Sequence, residues 1–282
     1  MKMIKVISLV VMVLILAACS FTVNVPTVTT GTTETLDINE AYPANIASPT
    51  LEINMGAGTL NVTSGSDALV SGDVKYNVPE WKPTVSQSSS GVIVAQKQTG
   101  QVGFPSGSIK NDWSLKLGKN PFGLKIAAGA YEGTLVLGGV PLTSLEISDG
   151  ASKSSVTFAS VNPVKMDTLS YKTGASTVDI IGIANANVSN VSFDGGAGAY
   201  TLDFTGQLQQ DIKVNIKTGM SELKLILPQG AHSLVTVTGG LGNVTANGSW
   251  TINGSTYETG SGSPTINIQI EMAVGSLVLS QK

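Results

Sequence analysis

Few side chains in this 282-residue chain can carry covalent or metal chemistry. The single cysteine, Cys19, closes the apolar run "VLILAACSFTV", where its thiol can act as nucleophile, ligand or attachment point. The single histidine, His232 in "PQGAHSLV", excludes a two-histidine zinc site, and no second cysteine exists to complete one. A Ser-His-Asp triad would have to use His232, yet no serine stands in a Gly-x-Ser-x-Gly setting. Asp179 and Asp203 are the carboxylates that repeat spacing brings nearest for acid-base work, offset along the strand. The segment "DGGAGAYTLDF" has the glycines of a calcium-binding repeat but lacks its aspartates. Trp250 and Tyr257, in "WTINGSTYETGSGSPT", are the aromatics placed to stack on a ligand. No catalytic residue, metal site or cofactor is expected from these patterns.

The thiol of Cys19 has the clearest setting. Lys2 and Lys5 precede a thirteen-residue apolar segment, Val6 to Ala18. That is too short for a bilayer span of about 20 residues and suits the core of a secretory signal peptide. Leu16-Ala17-Ala18-Cys19 then resembles the bacterial lipobox, which implies cleavage before Cys19 and lipidation of its thiol. Two or three acyl chains give stable anchoring. The expected organisation is a lipoprotein signal peptide over 1–18 and a lipidated cysteine with a Thr-rich tether over 19–45. The location that follows is the bacterial cell envelope, extracytoplasmic and membrane-anchored by lipid. Ser20 lacks the aspartate retention signal of a two-membrane cell.

Composition narrows the function classes. Every basic residue is a lysine, and the formal charge is −3, so the guanidinium fork that grips phosphate and guanine is missing and nucleic acid is not an expected partner. After removal of residues 1–18, fourteen lysines face nineteen carboxylates, a charge of −5, which does not draw the chain to anionic lipid. Charged residues make up 12%, about half the usual share, while Gly, Ser, Thr, Val and Asn abound, a mixture for strands and turns. Six Asn-x-Ser/Thr sequons, at Asn61, Asn187, Asn190, Asn243, Asn247 and Asn253, follow from that mixture and carry no assigned role.

Internal repetition sets the architecture. "LEINMGAGTLNV", "LEISDGASKSSVTF", "LSYKTGASTVDI", "VSFDGGAGAYTLDF", "VNIKTGMSELKLIL" and "VTVTGGLGNVTANG" each join an alternating strand, a small-residue turn and a second alternating strand. Gly129, Gly150, Gly174, Gly196, Gly219 and Gly240 follow at spacings of 21, 24, 22, 23 and 21 residues. The period predicts an all-β, right-handed β-solenoid of about 21–24-residue coils, with Leu145/Ile147, Leu169/Tyr171, Val191/Phe193, Val214/Ile216 and Val235/Val237 stacked inward. Lys172, Asp194 and Lys217 would form an outward ladder of alternating sign. The turn glycines are expected to take positive φ. A leucine-rich repeat is disfavoured because its helix segment and asparagine ladder are not evident, and an antiparallel sandwich is the alternative fold.

Less regular sequence precedes the repeats. Residues 46–125, with Trp81 between Pro79 and Pro83 and with Trp113, read as an N-terminal β module; residues 126–282 read as the solenoid, with a loop insertion at 248–265. Trp81 and Trp113 are expected to be buried against strand faces. Trp250 and Tyr257 in the insertion are the candidate binding loop, or else a hairpin cap over the last open edge.

The segment Leu51 to Pro83, with its Met-Gly-Ala-Gly-x-Leu turn and Tyr-Asn…Glu-Trp-x-Pro stretch, resembles the N-terminal module of bacterial toast-rack proteins. The later repeats resemble adhesin-type and cell-wall-active-antibiotic response β-solenoid domains. These resemblances supply no catalytic residues. They imply a non-enzymatic interaction or adhesion-type module whose partner is a glycan, wall polymer or envelope protein. An accessory of the envelope stress response that binds a membrane sensor is the alternative, and a polysaccharide-active β-helix enzyme a second one.

Overall fold

The structure is a computed structural model that describes residues 27–97, 104–106, 108–240 and 242–282. Its strands are β1 (Thr27–Thr29), β2 (Glu34–Glu40), β3 (Thr50–Ser64), β4 (Val70–Tyr76), β5 (Pro83–Ser88), β6 (Gly91–Gln96), β7 (Phe104–Ser106), β8 (Asn111–Leu117) and β9 (Phe122–Val136). They continue as β10 (Leu142–Thr157), β11 (Met166–Ile181), β12 (Val188–Asp203), β13 (Ile212–Leu227), β14 (His232–Gly239), β15 (Asn243–Ala246), β16 (Thr251–Asn253), β17 (Thr256–Thr259) and β18 (Thr265–Gln281). Two 3-10 turns, Pro79–Trp81 and Ile183–Ala186, are the helical pieces among the described residues. β1 pairs with β7 separately, and the other sixteen strands share one open sheet.

Each sequence repeat except the copy at Val235, which is split into β14 and β15, is one long strand with a corner in it. In β13 the inward side chains are Ile212, Val214, Ile216 and Thr218; Gly219 and Met220 then both turn outward, and Ser221, Leu223, Leu225 and Leu227 resume on the inside. Two consecutive outward residues shift the period-2 alternation by one, so both limbs keep their apolar rows on the same interior. β3, β9, β10, β11, β12, β13 and β18 stack in parallel with each corner on the next: Ala130 pairs with Ala151, Ala151 with Ala175, Ala175 with Ala197 and Ala197 with Met220. The parallel stack sets aside the antiparallel sandwich.

The expected inward pairs are all buried, and one row runs Ile53, Ile126, Ile147, Tyr171, Phe193, Ile216, Ile270, Val237. Burying one such side chain contributes about 1.5–3 kcal/mol, so the rows hold the stack together. Tyr171 stacks on Phe193 at 5.8 Å, and Phe193 meets Tyr200 edge-on at 4.9 Å.

Three features differ from the sequence expectation. The corner glycines Gly129, Gly150, Gly174, Gly196 and Gly219 do not take positive φ. They are required by close stacking: a Cβ on Gly174 would lie 2.5 Å from the Gly150 carbonyl oxygen, and one on Gly196 would lie 2.2 Å from that of Gly174. Positive φ belongs instead to a glycine two positions later, such as Gly198 (φ 153°), where a Cβ would also come within 1.8 Å of the Ser176 oxygen.

The second difference is strand order. The copy that begins at Val235, in β14, does not stack on β13; β18, the last strand of the chain, lies between them and pairs in parallel with both. The insertion forms the antiparallel hairpin β16–β17, which covers the free edge of β14.

The third is a set of amides on the segments that link one long strand to the next. Asn162 Nδ2 donates to the Leu142 and Ala186 oxygens, Asn185 Nδ2 to the Phe158 oxygen, Asn187 Nδ2 to the Val164 oxygen and Gln210 Nε2 to the Asn187 oxygen. The amides give partners to these backbone carbonyls, and the Asn187 oxygen accepts from the Met166 N–H as well, at 2.9 Å.

The N-terminal section continues the same sheet and the same core. β6 lies along the first limb of β3 and β8 along its second, so two short strands replace one cornered strand. Gln96 and Asn111 fill that corner: Gly56 N donates to Gln96 Oε1 at 2.9 Å, Asn111 Nδ2 donates to the same oxygen at 3.0 Å, and Trp113 Nε1 donates to Asn111 Oδ1 at 2.9 Å. Within the Thr-rich stretch, β2 pairs with β4 at the sheet's end and buries Ile38.

Candidate functional site

The outward row immediately before the corner carries the charges. Register aligns Ser148, Lys172, Asp194, Lys217, Glu271 and Thr238 across six adjacent strands. The expected alternation of Lys172, Asp194 and Lys217 is present, and the inserted β18 extends it with Glu271. Lys217 Nζ lies 3.2 Å from Glu271 Oε2, both side chains about two-thirds exposed. Beside this row runs an open groove of about 460 Å³, walled by Asp194, Lys217 and Glu271 and floored by the backbone of Gly196, Gly219 and Gly240. The groove exists because the stacked glycines carry no side chain to fill it.

Beneath the corner sits a polar cluster that sequence reasoning missed. Asp149 is buried and accepts hydrogen bonds from the hydroxyls of Tyr171 (2.7 Å), Ser152 (3.1 Å) and Thr173. Ser176 Oγ, in contact with Thr173 Oγ1, accepts from the Ser152 N–H at 2.8 Å. Ser154 Oγ lies 2.5 Å from the Tyr171 hydroxyl, and Tyr131 reaches the same hydroxyl at 3.5 Å. Burial foremost, with the Asp149 charge beside it, pushes the Tyr131 phenol up to about 12 and raises that of Tyr171 as well. The hydroxyls of Tyr200, Thr218 and Ser221 are buried further along the same interior without a hydrogen-bond partner. The available signal was that Asp149 falls on the inward parity of β10.

Trp250 and Tyr257 come together at the sheet's end, ring centroids 6.4 Å apart and nearly perpendicular. Both are half-buried against the core, and Trp250 Nε1 donates to the Asn247 oxygen at 3.1 Å. His232 opens β14 and pairs with Glu258 Oε1 of β17 at 2.9 Å, tying the hairpin down. The pair Asp179 and Asp203 does not form a common site: Asp179 aligns with Thr201, and Asp203 is buried and accepts from the Thr205 N–H at 2.7 Å. Trp113 is fully buried and Trp81 half-buried. Cys19 lies outside the described residues. No group of three or more His, Cys, Asp or Glu side chains suited to a metal ion occurs among the described residues, and no described helix is long and apolar enough to cross a membrane.

Fold and site together define a nearly all-β protein built on one open, corner-folded sheet whose long strands run parallel, with a polar groove along its corner. The chain belongs to the toast-rack family: the family described as the N-terminal domain of toast_rack, DUF2154, matches residues 26–181. Among solved structures, the chain is similar to a "putative cell adhesion protein" from Clostridium sporogenes ATCC 15579, at 21% identity over 89% of this chain and 99% of that one, with a TM-score of 0.49. It is also similar to a "putative adhesin" from Parabacteroides merdae ATCC 43184, at 11% identity over 91% and 99%, with a TM-score of 0.40. No curated protein matches the chain.

Proposed function

We propose that this protein is a lipid-anchored component of the bacterial cell envelope whose folded part is a non-enzymatic interaction module. The corner face carries the proposal. Across β11, β12, β13 and β18 it presents an in-register charged row beside an open groove floored by glycine backbone, a surface for contact along a line. Catalysis would need a converging set of groups in a shielded cavity. Here the one histidine is engaged with Glu258, and Asp203 is spent on its own loop.

The parallel stack is read as a right-handed solenoid of 21–24-residue turns. Leu16-Ala17-Ala18-Cys19 supports acylation of Cys19, and the residues before β2 supply a spacer to the membrane. A glycan, a wall polymer or another envelope protein is the class of partner. The corner face and the Trp250–Tyr257 pair are the contact surfaces.

Two measurements test this reading. An acyl probe is expected to label the wild type and not Cys19→Ala; an unlabelled wild type would remove the anchor. The chain from Ser20 onward is expected to be retained by isolated wall polysaccharide or by envelope proteins. Retention by neither, or hydrolysis of the polysaccharide, would overturn the interaction module.

A further inference from the structure

The charge order on the corner face is self-complementary. Read along the stack, Lys172, Asp194, Lys217 and Glu271 run plus, minus, plus, minus, and the next residues in the row, Ser148 on one side and Thr238 on the other, are neutral. Turned by 180°, the same row reads minus, plus, minus, plus. We propose that this face binds a second copy of the chain about a two-fold axis passing between β12 and β13, a partner assignment that rests on reading the corner face as an interaction surface.

In that arrangement Lys172 of one copy meets Glu271 of the other, and Asp194 meets Lys217, each contact made twice, as an isologous interface requires. Moving the axis by half a strand spacing, onto β12, sets Lys172 against Lys217 and Asp194 against its own copy; moving it a full spacing leaves only two of the four contacts opposite in sign, and a two-fold axis along the stack sets every charge against its like. The row therefore rejects the neighbouring registers as well as favouring one. The flanking rows do not oppose it. Ser170, Ser192, Asn215 and Gln269, two residues earlier, are uncharged, and Gly174, Gly196, Gly219 and Ala273, two residues later, carry nothing larger than a methyl group to hold the copies apart. The chain as a whole is negative, whereas this row sums to zero, so the face is spared the repulsion that opposes self-association elsewhere. The groove leaves room for the long Lys172 side chain of the opposing copy to reach Glu271.

The test uses the chain from Ser20 onward, which contains every described residue, in sedimentation-velocity runs from about 1 to 100 µM. The wild type is expected to form a dimer that weakens as salt rises from about 0.1 to 0.5 M. Lys172→Glu and Glu271→Lys are each expected to weaken self-association by about tenfold or more, because each sets two like-charge contacts into the homodimer. An equimolar mixture of the two variants is expected to restore the dimer, since all four contacts between unlike variants are again of opposite sign; that restoration also shows that both variants are folded. A wild type that stays monomeric at 100 µM, a dimer indifferent to both variants, or a mixture that fails to associate would each overturn the proposal. Retention on wall polysaccharide, measured on the same samples, reports on the interaction module separately: a monomer that is still retained refutes the dimer alone.

Discussion

Lys217 Nζ and Glu271 Oε2 are 3.2 Å apart although the whole of β14 to β17 lies between them in the chain. The contact marks where the last strand is inserted, against β13 on one side and β14 on the other. An exposed pair of this kind contributes about 0.2–1 kcal/mol at most. The strand's stability comes from Ile266, Ile268, Ile270, Met272, Leu277 and Leu279, all buried.

Removing residues 265–282 should therefore unfold more than an end. Six buried side chains at about 1.5–3 kcal/mol each amount to as much as the net stability of a typical domain, about 5–15 kcal/mol. The truncated chain is expected to lose protection in β14 and along β13 in amide hydrogen exchange. Ile252→Ser, on the exposed hairpin, is expected to change stability by no more than about 0.5 kcal/mol. Normal protection in β13 after truncation would contradict this strand order.

The glycine column gives a graded series. A Cβ at Gly196 would sit 2.2 Å from a backbone oxygen, at Gly174 2.5 Å, and at Gly150 2.9 Å. Backbone oxygens locked in a ladder cannot retreat as a flexible side chain can, so alanine at each is expected to cost about 1–3 kcal/mol, with Gly196→Ala the most and Gly150→Ala the least. Urea midpoints for the three variants would show the order.

Much of this architecture was legible in the sequence, because period-2 alternation and a recurrent glycine report directly on the inward rows and the corners. Leu145/Ile147 through Val235/Val237 are all buried as their alternation required. The position of β18 was not legible. Register in a parallel stack is fixed by which apolar rows fit together, and "QIEMAVGSLVLS" fits beside β13 as well as "VTVTGGLG" does, so sequence order alone cannot rank them. The role of the corner glycines was misread for a related reason: a glycine demanded by a neighbouring backbone looks the same in sequence as one demanded by its own φ. Asp149 was passed over because its hydroxyl partners come from β10 and β11, and no local motif joins them.

Asp149 and Thr218 should respond in opposite directions. Asp149→Asn removes the charge that three hydroxyls address and turns an amide toward donors, which is expected to lower stability by about 2 kcal/mol. Thr218 Oγ1 is buried without a partner, so Thr218→Val, close in shape, is expected to leave stability unchanged or raise it. Equal losses at the two positions in thermal melts would contradict the cluster as drawn.

High pH should weaken the fold through Tyr131 and Tyr171. Both phenols are raised above the ordinary value of about 10, chiefly by burial, Tyr131 to about 12. Above pH 10 the unfolded chain releases these protons while the folded chain retains them, so the unfolded state binds fewer protons and stability falls with rising pH. The contribution is fully present below pH 10 and is lost progressively up to about pH 12. Urea midpoints are expected to be level between pH 8 and 9 and to drop by pH 11, with a smaller drop in Tyr131→Phe. A midpoint that rises across this range would contradict the burial of the pair.

The aromatic pair at the sheet's end can be a cap, a contact surface or both, and a double-mutant cycle separates the two roles. The edge-on contact of Trp250 with Tyr257 implies a coupling of about 0.5–1.5 kcal/mol in stability, visible as non-additivity among Trp250→Ala, Tyr257→Ala and the double variant. That coupling concerns the cap alone. A contact surface predicts in addition that each single variant loses retention on wall polysaccharide under conditions where it remains fully folded, because a sugar face needs the ring itself. Trp250→Phe keeps a ring against the core and gives up the Nε1 hydrogen bond to the Asn247 oxygen, so it should retain most of the stability and part of the binding. Variants that melt lower yet bind as the wild type does would leave the pair as a cap and place the partner's contacts on the corner face.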